Sequence, residues 1–174
     1  MLSSGQKAHF KTLGFLVMRN LFTKREIDMM KCEAEEIYDE DRRGKPFDGE
    51  ESQYVQPFFE RKPFLSLLPD DDRIYDIAED LLGPDFFLDG TEGRLRVGPT
   101  AWHGAVPREN AVASVKINIY PTLLTKNNGC LRVIPGSHLV SSPDLYEPLR
   151  NPNYGSGFRP FGMLPTDIPC VPLE

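Results

Sequence analysis

The sequence has few of the residues that mark a disulfide-rich or membrane-spanning protein. Its 174 residues include three cysteines, Cys32, Cys130 and Cys170, and none has the CxxC spacing of a zinc or redox motif. No apolar run approaches the ~20 residues that a transmembrane helix requires. The N-terminal segment also lacks the apolar stretch of a signal peptide. These absences predict a cytoplasmic protein with reduced thiols and no contact with the membrane.

Acidic residues outnumber basic residues, 26 to 20. The net charge is −6, and no cluster of lysine and arginine is interleaved with aromatic residues. Because binding to phosphates requires a basic face, nucleic acid is excluded as the main partner. A chain of this length can bury roughly 70% of its unfolded surface. We therefore predict one globular domain over residues 1–174.

The first 83 residues show helical patterning. Residues 4–13 predict a short helix, and "GFLVMR" (14–19) predicts a short buried strand. Thr23 and Glu26 have the spacing of a capping box, which predicts the start of a longer helix. Another helix is predicted over about 71–82, with a C-terminal cap at Gly83. The residues predicted to face inward are Ile27, Met30, Ala34 and Ile37 on the longer helix, and Ile74, Ile77, Ala78 and Leu81 on the later one.

Residues 84–140 have a different character. They contain short β-rich runs, "DFFLDG", "GRLRVG", "AVASVKINIYP" and "GCLRVIPGSH", separated by glycine, proline and asparagine. This pattern is typical of an antiparallel sandwich or barrel, and "NNG" (127–129) predicts a hairpin turn. Residues 141–174 contain seven prolines and predict a loop or lid. The architecture expected is N-terminal helices followed by a β core, with a new strand starting at "CVPLE".

Histidine is also rare, with only His9, His103 and His138 present. His9 is expected on the surface of the first helix. His103 directly follows the only tryptophan, Trp102, and is either a metal ligand or a structural residue. Lys116 lies on the polar side of "ASVKINIY". It either faces a barrel interior, where a ligand carboxylate would be its counter-ion, or faces water on a one-sided sheet.

Three segments together resemble a known family. "NNGCLRVIPGSH" (127–138) is similar to a signature of the phytanoyl-CoA dioxygenase family, a branch of the Fe(II)/2-oxoglutarate oxygenases. "LGFLVMRNLFTKREIDMMKCEAEEIY" resembles that family's N-terminal unit, and "RVGPTAWHGA" falls where the family has its WHxD metal motif. The resemblance covers residues 9–140. It implies a mainly β fold with N-terminal helices, namely a double-stranded β-helix (a cupin-like jelly roll) that lacks its last strands in this chain.

The resemblance also implies a site. The family binds Fe(II) through two histidines and one carboxylate, which leaves positions open for 2-oxoglutarate and O₂. His103 matches the first ligand, but Ala105 occupies the position of the aspartate. The distal histidine and the arginine that anchors 2-oxoglutarate would lie beyond residue 174. His138 belongs to a turn that is structural in the family. Lys116 and Thr100 are the candidates for binding 2-oxoglutarate.

Ala105 leaves two interpretations open. Iron-dependent halogenases of the same superfamily have HxA or HxG, and chloride takes the place of the carboxylate. Alternatively, the site has decayed, because loss of a ligand without compensation should lower iron affinity by orders of magnitude. We therefore expect a dioxygenase or halogenase acting on a small organic substrate, or else a non-catalytic binding module. Since an unfinished jelly roll exposes sheet edges, we also expect a further C-terminal segment or a partner chain.

Overall fold

The computed structural model describes residues 1–98, 102, 113–139 and 167–174. Contacts divide the chain into two compact units. The first, called here the helical unit, comprises Met1–Ser3, Met18–Gly98 and Ser114–Leu123. The second, called the turn unit, comprises Ser4–Val17 with the described parts of Pro99–Ala113 and Leu124–Glu174. The described helices are α1 (Ser4–Leu13), α2 (Lys24–Asp41), α3 (Pro63–Ser66) and α4 (Asp72–Leu82), with 3-10 turns at Phe59–Arg61, Leu68–Asp70 and Ser137–Leu139; the strands are β1 (Gln53–Val55), β2 (Gly93–Leu95), β3 (Arg132–Val133) and β4 (Val171–Pro172).

Helix α2 begins with the predicted capping box. The Thr23 side chain accepts a hydrogen bond from the Glu26 backbone nitrogen at 3.3 Å, and the Glu26 carboxylate accepts one from the Thr23 nitrogen at 2.6 Å. These bonds satisfy two of the amide groups that a helix start leaves unpaired. Arg73 extends the cap, because its guanidinium pairs with Glu26 at 2.6 Å and lies 4.4 Å from the centre of the Phe22 ring.

The core of the helical unit lies between α2, α3 and β1. Its buried members are Met30, Ile37, Tyr38, Val55, Phe58, Leu65 and Leu68. Polar contacts hold the chain around this core. Glu33 on α2 accepts hydrogen bonds from the backbone nitrogens of Phe64 and Leu65, at 3.0 and 2.8 Å, and thereby caps α3. The buried hydroxyl of Thr91 accepts bonds from the two amides of Phe58 and Phe59, both at 3.1 Å.

Strands β1 and β2 form an antiparallel pair in which Tyr54 lies opposite Arg94. Strand β2 was predicted within "GRLRVG", whereas β1 had no sequence signal beyond the end of a polar loop. Gly93 opens β2 directly against the Phe58 ring, and a Cβ atom at this position would overlap that ring. The close approach explains why glycine occupies the start of this strand.

Helix α4 confirms the predicted helix over about 71–82. The Asp71 side chain accepts a hydrogen bond from the Arg73 nitrogen at 3.0 Å, and Gly83 ends the helix with φ of 92°. None of its residues is fully buried. The four residues predicted to face inward, Ile74, Ile77, Ala78 and Leu81, are half-buried.

In the turn unit, α1 confirms the predicted first helix. Strands β3 and β4 pair antiparallel, with Arg132 opposite Pro172 and Val133 opposite Val171. Strand β4 confirms the strand expected at "CVPLE". The predicted turn at 127–129 is also present, because the Thr125 carbonyl accepts bonds from the nitrogens of Asn128 and Cys130, both at 3.1 Å.

Other strand predictions differ from the structure. The buried strand predicted over 14–19 is wrong, because this segment has no regular structure and Val17 is 42% exposed. Apolar side chains alone do not form a strand without a partner for the backbone. Among the described residues of 84–140, only β2 and β3 are strands. The sheets in the described part of the chain have two strands each and form no closed barrel, so the jelly roll with its last strands lacking stays a prediction.

All three cysteines lie within the described ranges, and none forms a disulfide. Cys130 is buried in the turn unit, and this burial raises the pKa of its thiol. Over the residues that the structure describes, no helix combines the length and the apolar character needed to cross a bilayer.

Candidate functional site

The predicted site residues divide into two groups. Thr100, His103 and Ala105 lie outside the described residues. Lys116 lies inside them, in the helical unit; Trp102, which precedes His103 and was not itself a predicted site residue, is described as well, in the turn unit. The structure therefore describes the candidate site only around Lys116 and Trp102.

Lys116 belongs to a surface cluster of alternating charge. Its Nζ atom donates a hydrogen bond to the Glu92 carboxylate. Arg94 donates to the same carboxylate from Nε and Nη2, at 3.0 and 3.1 Å. The Arg94 guanidinium also lies 4.5 Å from the centre of the Tyr54 ring, on the neighbouring strand. Two cations thus share one carboxylate, and the cluster carries one excess positive charge.

Glu92 is the least exposed charged group of this cluster. Its side chain is 23% exposed, whereas that of Lys116 is 62% exposed. Burial by itself raises the pKa of the Glu92 carboxyl, but hydrogen bonds from Lys116 and Arg94 outweigh it and lower the pKa to about 2. Glu92 is therefore ionised at neutral pH, and it is the counter-ion of Lys116 in this structure.

Local structure explains why these side chains meet. Glu92 and Arg94 flank Gly93 at the start of β2, so both side chains lie on the same side of the strand. The segment containing Lys116 is anchored by Ile119, which packs against the core of the helical unit. Its predicted alternation is partly present, because Val115 and Ile119 are half-buried while Ile117 is exposed.

His9 and His138 both bind backbone carbonyl groups. The His9 ring donates from Nδ1 to the Phe15 oxygen at 3.0 Å, and the two rings meet edge to face. The His138 ring donates from Nε2 to the Lys11 oxygen at 3.1 Å. This contact gives His138 a structural role, in agreement with the expectation for its turn.

The "PGSH" turn closes the C-terminal end of α1. The Gly136 nitrogen donates to the Leu13 oxygen at 2.9 Å, and His138 donates to the Lys11 oxygen two residues earlier. These bonds satisfy carbonyl groups that a helix end leaves unpaired. Gly14 permits the contact, because its φ is +84° and a Cβ atom there would lie 2.7 Å from His138 Cγ. The signature motif is therefore a helix cap supplied by a distant part of the chain.

Trp102 contacts the same signature. The Arg132 guanidinium lies 5.1 Å from the centre of the indole ring, which is within the range of a cation–π interaction. Two of the three segments that carry the family resemblance are thus in contact in the structure, through Trp102 and Arg132.

The described residues hold no group of three or more histidine, cysteine, aspartate or glutamate side chains that could bind a metal ion. A cavity of about 230 Å³ lies in the helical unit beside α4, and its lining includes Met18, Leu21, Arg73 and Asp76. Its lining contains none of the predicted site residues.

Sequence reasoning missed Glu92 and Arg132. Each acts on a partner 24 or 30 positions away in the chain, and neither belongs to a periodic pattern. Arg132 lies inside the signature "GCLRVIPGSH", so the sequence marked it as a candidate residue. The signature did not predict its contact with Trp102. For Glu92 no local signal was present, because an acidic residue before a short strand is unremarkable.

Comparison with known proteins identifies the family whose members this chain resembles. A model of the family "Phytanoyl-CoA dioxygenase (PhyH)" matches residues 10–164. Two curated proteins named ectoine dioxygenase, from Bordetella parapertussis and Bordetella bronchiseptica, are each 27% identical to the chain over 153 residues. The match covers 79% of this chain and 50% of each relative, so the chain spans about half the length of these relatives. No solved structure matches the chain. Because the family match extends over most of its residues, the chain belongs to the phytanoyl-CoA dioxygenase family.

Proposed function

We propose that the protein is an Fe(II)/2-oxoglutarate-dependent oxygenase that acts on a small organic substrate. The family match over residues 10–164 carries this proposal. The two curated relatives support it, because both are named as dioxygenases. Bound Fe(II) would supply the activation of O₂ at the expense of 2-oxoglutarate.

The 174 residues supply only part of the ligand set that an iron site requires. His103 is the candidate for the first ligand, and Ala105 has no donor atom where a facial triad has its carboxylate. His9 and His138 each bind a backbone carbonyl group. The donor set within these residues does not complete the triad. Under this proposal, the second histidine comes from a further C-terminal segment or from a partner chain, and a non-protein ligand fills the position of the missing carboxylate.

Lys116 is proposed to bind a carboxylate of 2-oxoglutarate. Its side chain is 62% exposed, so an incoming anion can reach it. The cluster with Arg94 has one more cation than Glu92 neutralises, which favours a further carboxylate. Binding would require the Lys116 ammonium to share its hydrogen bonds between Glu92 and the ligand. Thr100, three residues before His103, is the second candidate for this contact.

Ala105 favours halogenation over hydroxylation, because an alanine leaves room for chloride as a ligand. The same residue also favours a second function, a non-catalytic member that retains the fold and binds a small molecule. The name of the two relatives suggests ectoine, a small organic molecule, as the first substrate to examine.

Succinate release from 2-oxoglutarate tests the proposal. The native protein would be supplied with Fe(II), 2-oxoglutarate, ectoine and either chloride or a chloride-free buffer, and the products analysed by mass spectrometry. A chlorinated product supports the halogenase, and a hydroxylated product supports the dioxygenase. If the parent is silent and Ala105→Asp creates hydroxylation, the non-catalytic alternative is correct. A parent and an Ala105→Asp variant that both fail to consume 2-oxoglutarate would contradict the proposed enzyme.

Lys116→Met tests the co-substrate contact. We expect KM for 2-oxoglutarate to rise by about tenfold, which corresponds to the loss of one charge-assisted hydrogen bond. Lys24→Met is the matched control, because Lys24 is also an exposed lysine paired with a carboxylate, that of Asp28 at 2.6 Å. Equal KM values in all three proteins would remove Lys116 from the site.

A further inference from the structure

The two cations that bind Glu92 are attached to it in different ways. Arg94 reaches both carboxylate oxygens, from Nε to Oε1 at 3.0 Å and from Nη2 to Oε2 at 3.1 Å. Two parallel bonds of this kind make a strong arginine–carboxylate pair. Lys116 binds only Oε1, which also accepts from Arg94. If the Lys116 ammonium moves away, Glu92 therefore keeps a hydrogen bond on each of its oxygens.

The backbone that carries Glu92 is anchored on both sides. Thr91, directly before it, is buried, and its hydroxyl accepts hydrogen bonds from two backbone amides. Gly93, directly after it, pairs with Val55 on the neighbouring strand and lies against the Phe58 ring. The Glu92 carboxylate therefore extends from a well-supported segment.

Arg94 is supported as well, whereas Lys116 is the most exposed member of the cluster. The Arg94 guanidinium lies over the Tyr54 ring, 4.5 Å from its centre, within the range of a cation–π interaction. The side chain of Arg94 is 41% exposed and that of Lys116 is 62% exposed. A lysine is a flexible chain that ends in three rotatable donors. Lys116 can therefore turn from Glu92 towards an incoming anion at little cost to the other two groups.

We propose that Lys116 and Arg94 form a binding site for a carboxylate of a small organic acid, and that Glu92 is an internal competitor for the Lys116 ammonium. Arg94 neutralises Glu92 and so allows the ammonium to pass to the ligand. These residues all belong to the described part of the helical unit. The choice of 2-oxoglutarate as the acid rests on the function proposed above, whereas the competition does not depend on iron.

The competition sets the affinity of this site. Glu92 is ionised at neutral pH, so its charge repels a ligand carboxylate that approaches the same ammonium. Between two such charges about 4 Å apart in water, the repulsion weakens binding by about fivefold. The cluster keeps one excess positive charge, which still favours one carboxylate of the ligand.

Binding of succinate without any metal tests the competition. Succinate carries two carboxylates, and its binding is followed at low ionic strength by the shift of the Gly93 amide signal in nuclear magnetic resonance. We expect Glu92→Gln to bind succinate about fivefold more tightly than the parent, because the repelling charge is removed while the size of the side chain is retained. We expect Arg94→Met to bind it about fivefold more weakly, because Glu92 then has Lys116 as its remaining cation.

Two further variants are matched controls. Asp28→Asn removes the carboxylate from another exposed pair, that of Lys24 with Asp28 at 2.6 Å, and changes the net charge by the same amount as Glu92→Gln. It should leave succinate binding at the parent value. Lys116→Met removes the contested ammonium, and combined with Glu92→Gln it should abolish the gain in affinity.

The outcomes separate this proposal from the proposed function. Equal or weaker binding in Glu92→Gln would overturn the competition, and so would an equal gain in Asp28→Asn. Absence of succinate binding in every protein would overturn the site. If Glu92→Gln does not fold, Arg94→Met decides, because parent-like binding in that variant contradicts the proposal. A failure to consume 2-oxoglutarate affects only the proposed function, since succinate binding needs no metal. Conversely, consumption of 2-oxoglutarate with the same KM in the parent and in Glu92→Gln would retain the enzyme and overturn the competition.

Discussion

The two units of the chain are stabilised in different ways. The helical unit has a cluster of seven buried apolar residues, surrounded by carboxylates that bind backbone nitrogens and cations. In the described part of the turn unit, only Cys130 and Ile168 are buried. Its segments are held by hydrogen bonds between backbone groups, as between α1 and the "PGSH" turn. Among the described residues, apolar burial dominates in the helical unit and hydrogen bonding between backbone groups dominates in the turn unit.

This difference matters for function, because the two kinds of candidate residue are supported differently. Lys116 extends from a segment that packs on an apolar core through Ile119, so we expect its place to change little when a surface partner is removed. Trp102 lies in the unit whose described part has only two buried residues, where we expect a single contact such as that of Arg132 to have more influence. We therefore expect substitutions in the helical unit to alter stability, and substitutions in the turn unit to alter local geometry.

The largest effect is expected for Ile37→Ala in the helical unit. Ile37 is fully buried, and its truncation removes apolar contacts and leaves a cavity. We expect a loss of about 4 kcal/mol in the free energy of unfolding, measured with urea. Met29→Ala on the same helix is the control, because Met29 is 39% exposed and should cost about 1 kcal/mol or less. Similar losses in the two variants would contradict a core centred on Ile37.

The sequence predicted the parts of the helical unit whose signals are local. The capping box at Thr23 and Glu26 and the apolar spacing of α2 lie within one or two turns, and all are present. Strand β1 and the segment 14–19 were mispredicted, because a strand is defined by its partner and not by its own side chains. The prediction of the candidate site was incomplete for the same reason, since Glu92 and Arg132 contact residues far along the chain.

An intermediate effect is expected for Gly14→Ala in the turn unit. Gly14 has φ of +84°, and an added Cβ atom would contact the His138 ring. Strain in the backbone together with displacement of His138 should cost about 2 kcal/mol. The Gly136 nitrogen donates to the Leu13 oxygen, and hydrogen exchange at this nitrogen measures how far the hydrogen bond is weakened.

Gly44→Ala is the matched control for this substitution. Gly44 has φ of +74°, but an added Cβ atom would find nothing within 4 Å. Gly44→Ala should therefore lower the free energy of unfolding by about 1 kcal/mol, the cost of the backbone conformation alone, because no histidine contact is disturbed. If Gly14→Ala leaves exchange at Gly136 unchanged, the "PGSH" turn does not depend on this contact, and the contrast between the two units becomes weaker.

The smallest effect is expected for the ionic cap of α2, and it depends on pH. Hydrogen bonds from Arg73 and Thr23 lower the pKa of the Glu26 carboxyl from 4.5 to about 2. A carboxyl whose pKa is lower in the folded state binds fewer protons there than when unfolded, so its stabilisation is present above pH 4.5 and is lost as the pH falls towards 2. Urea unfolding across this interval should show a shallower decline for Glu26→Gln than for the parent, because the variant has no proton to gain. Glu35→Gln, at an exposed position of the same helix, should follow the parent. A decline equally steep in all three proteins would assign the acid sensitivity to other carboxylates and leave apolar burial as the main support of this unit.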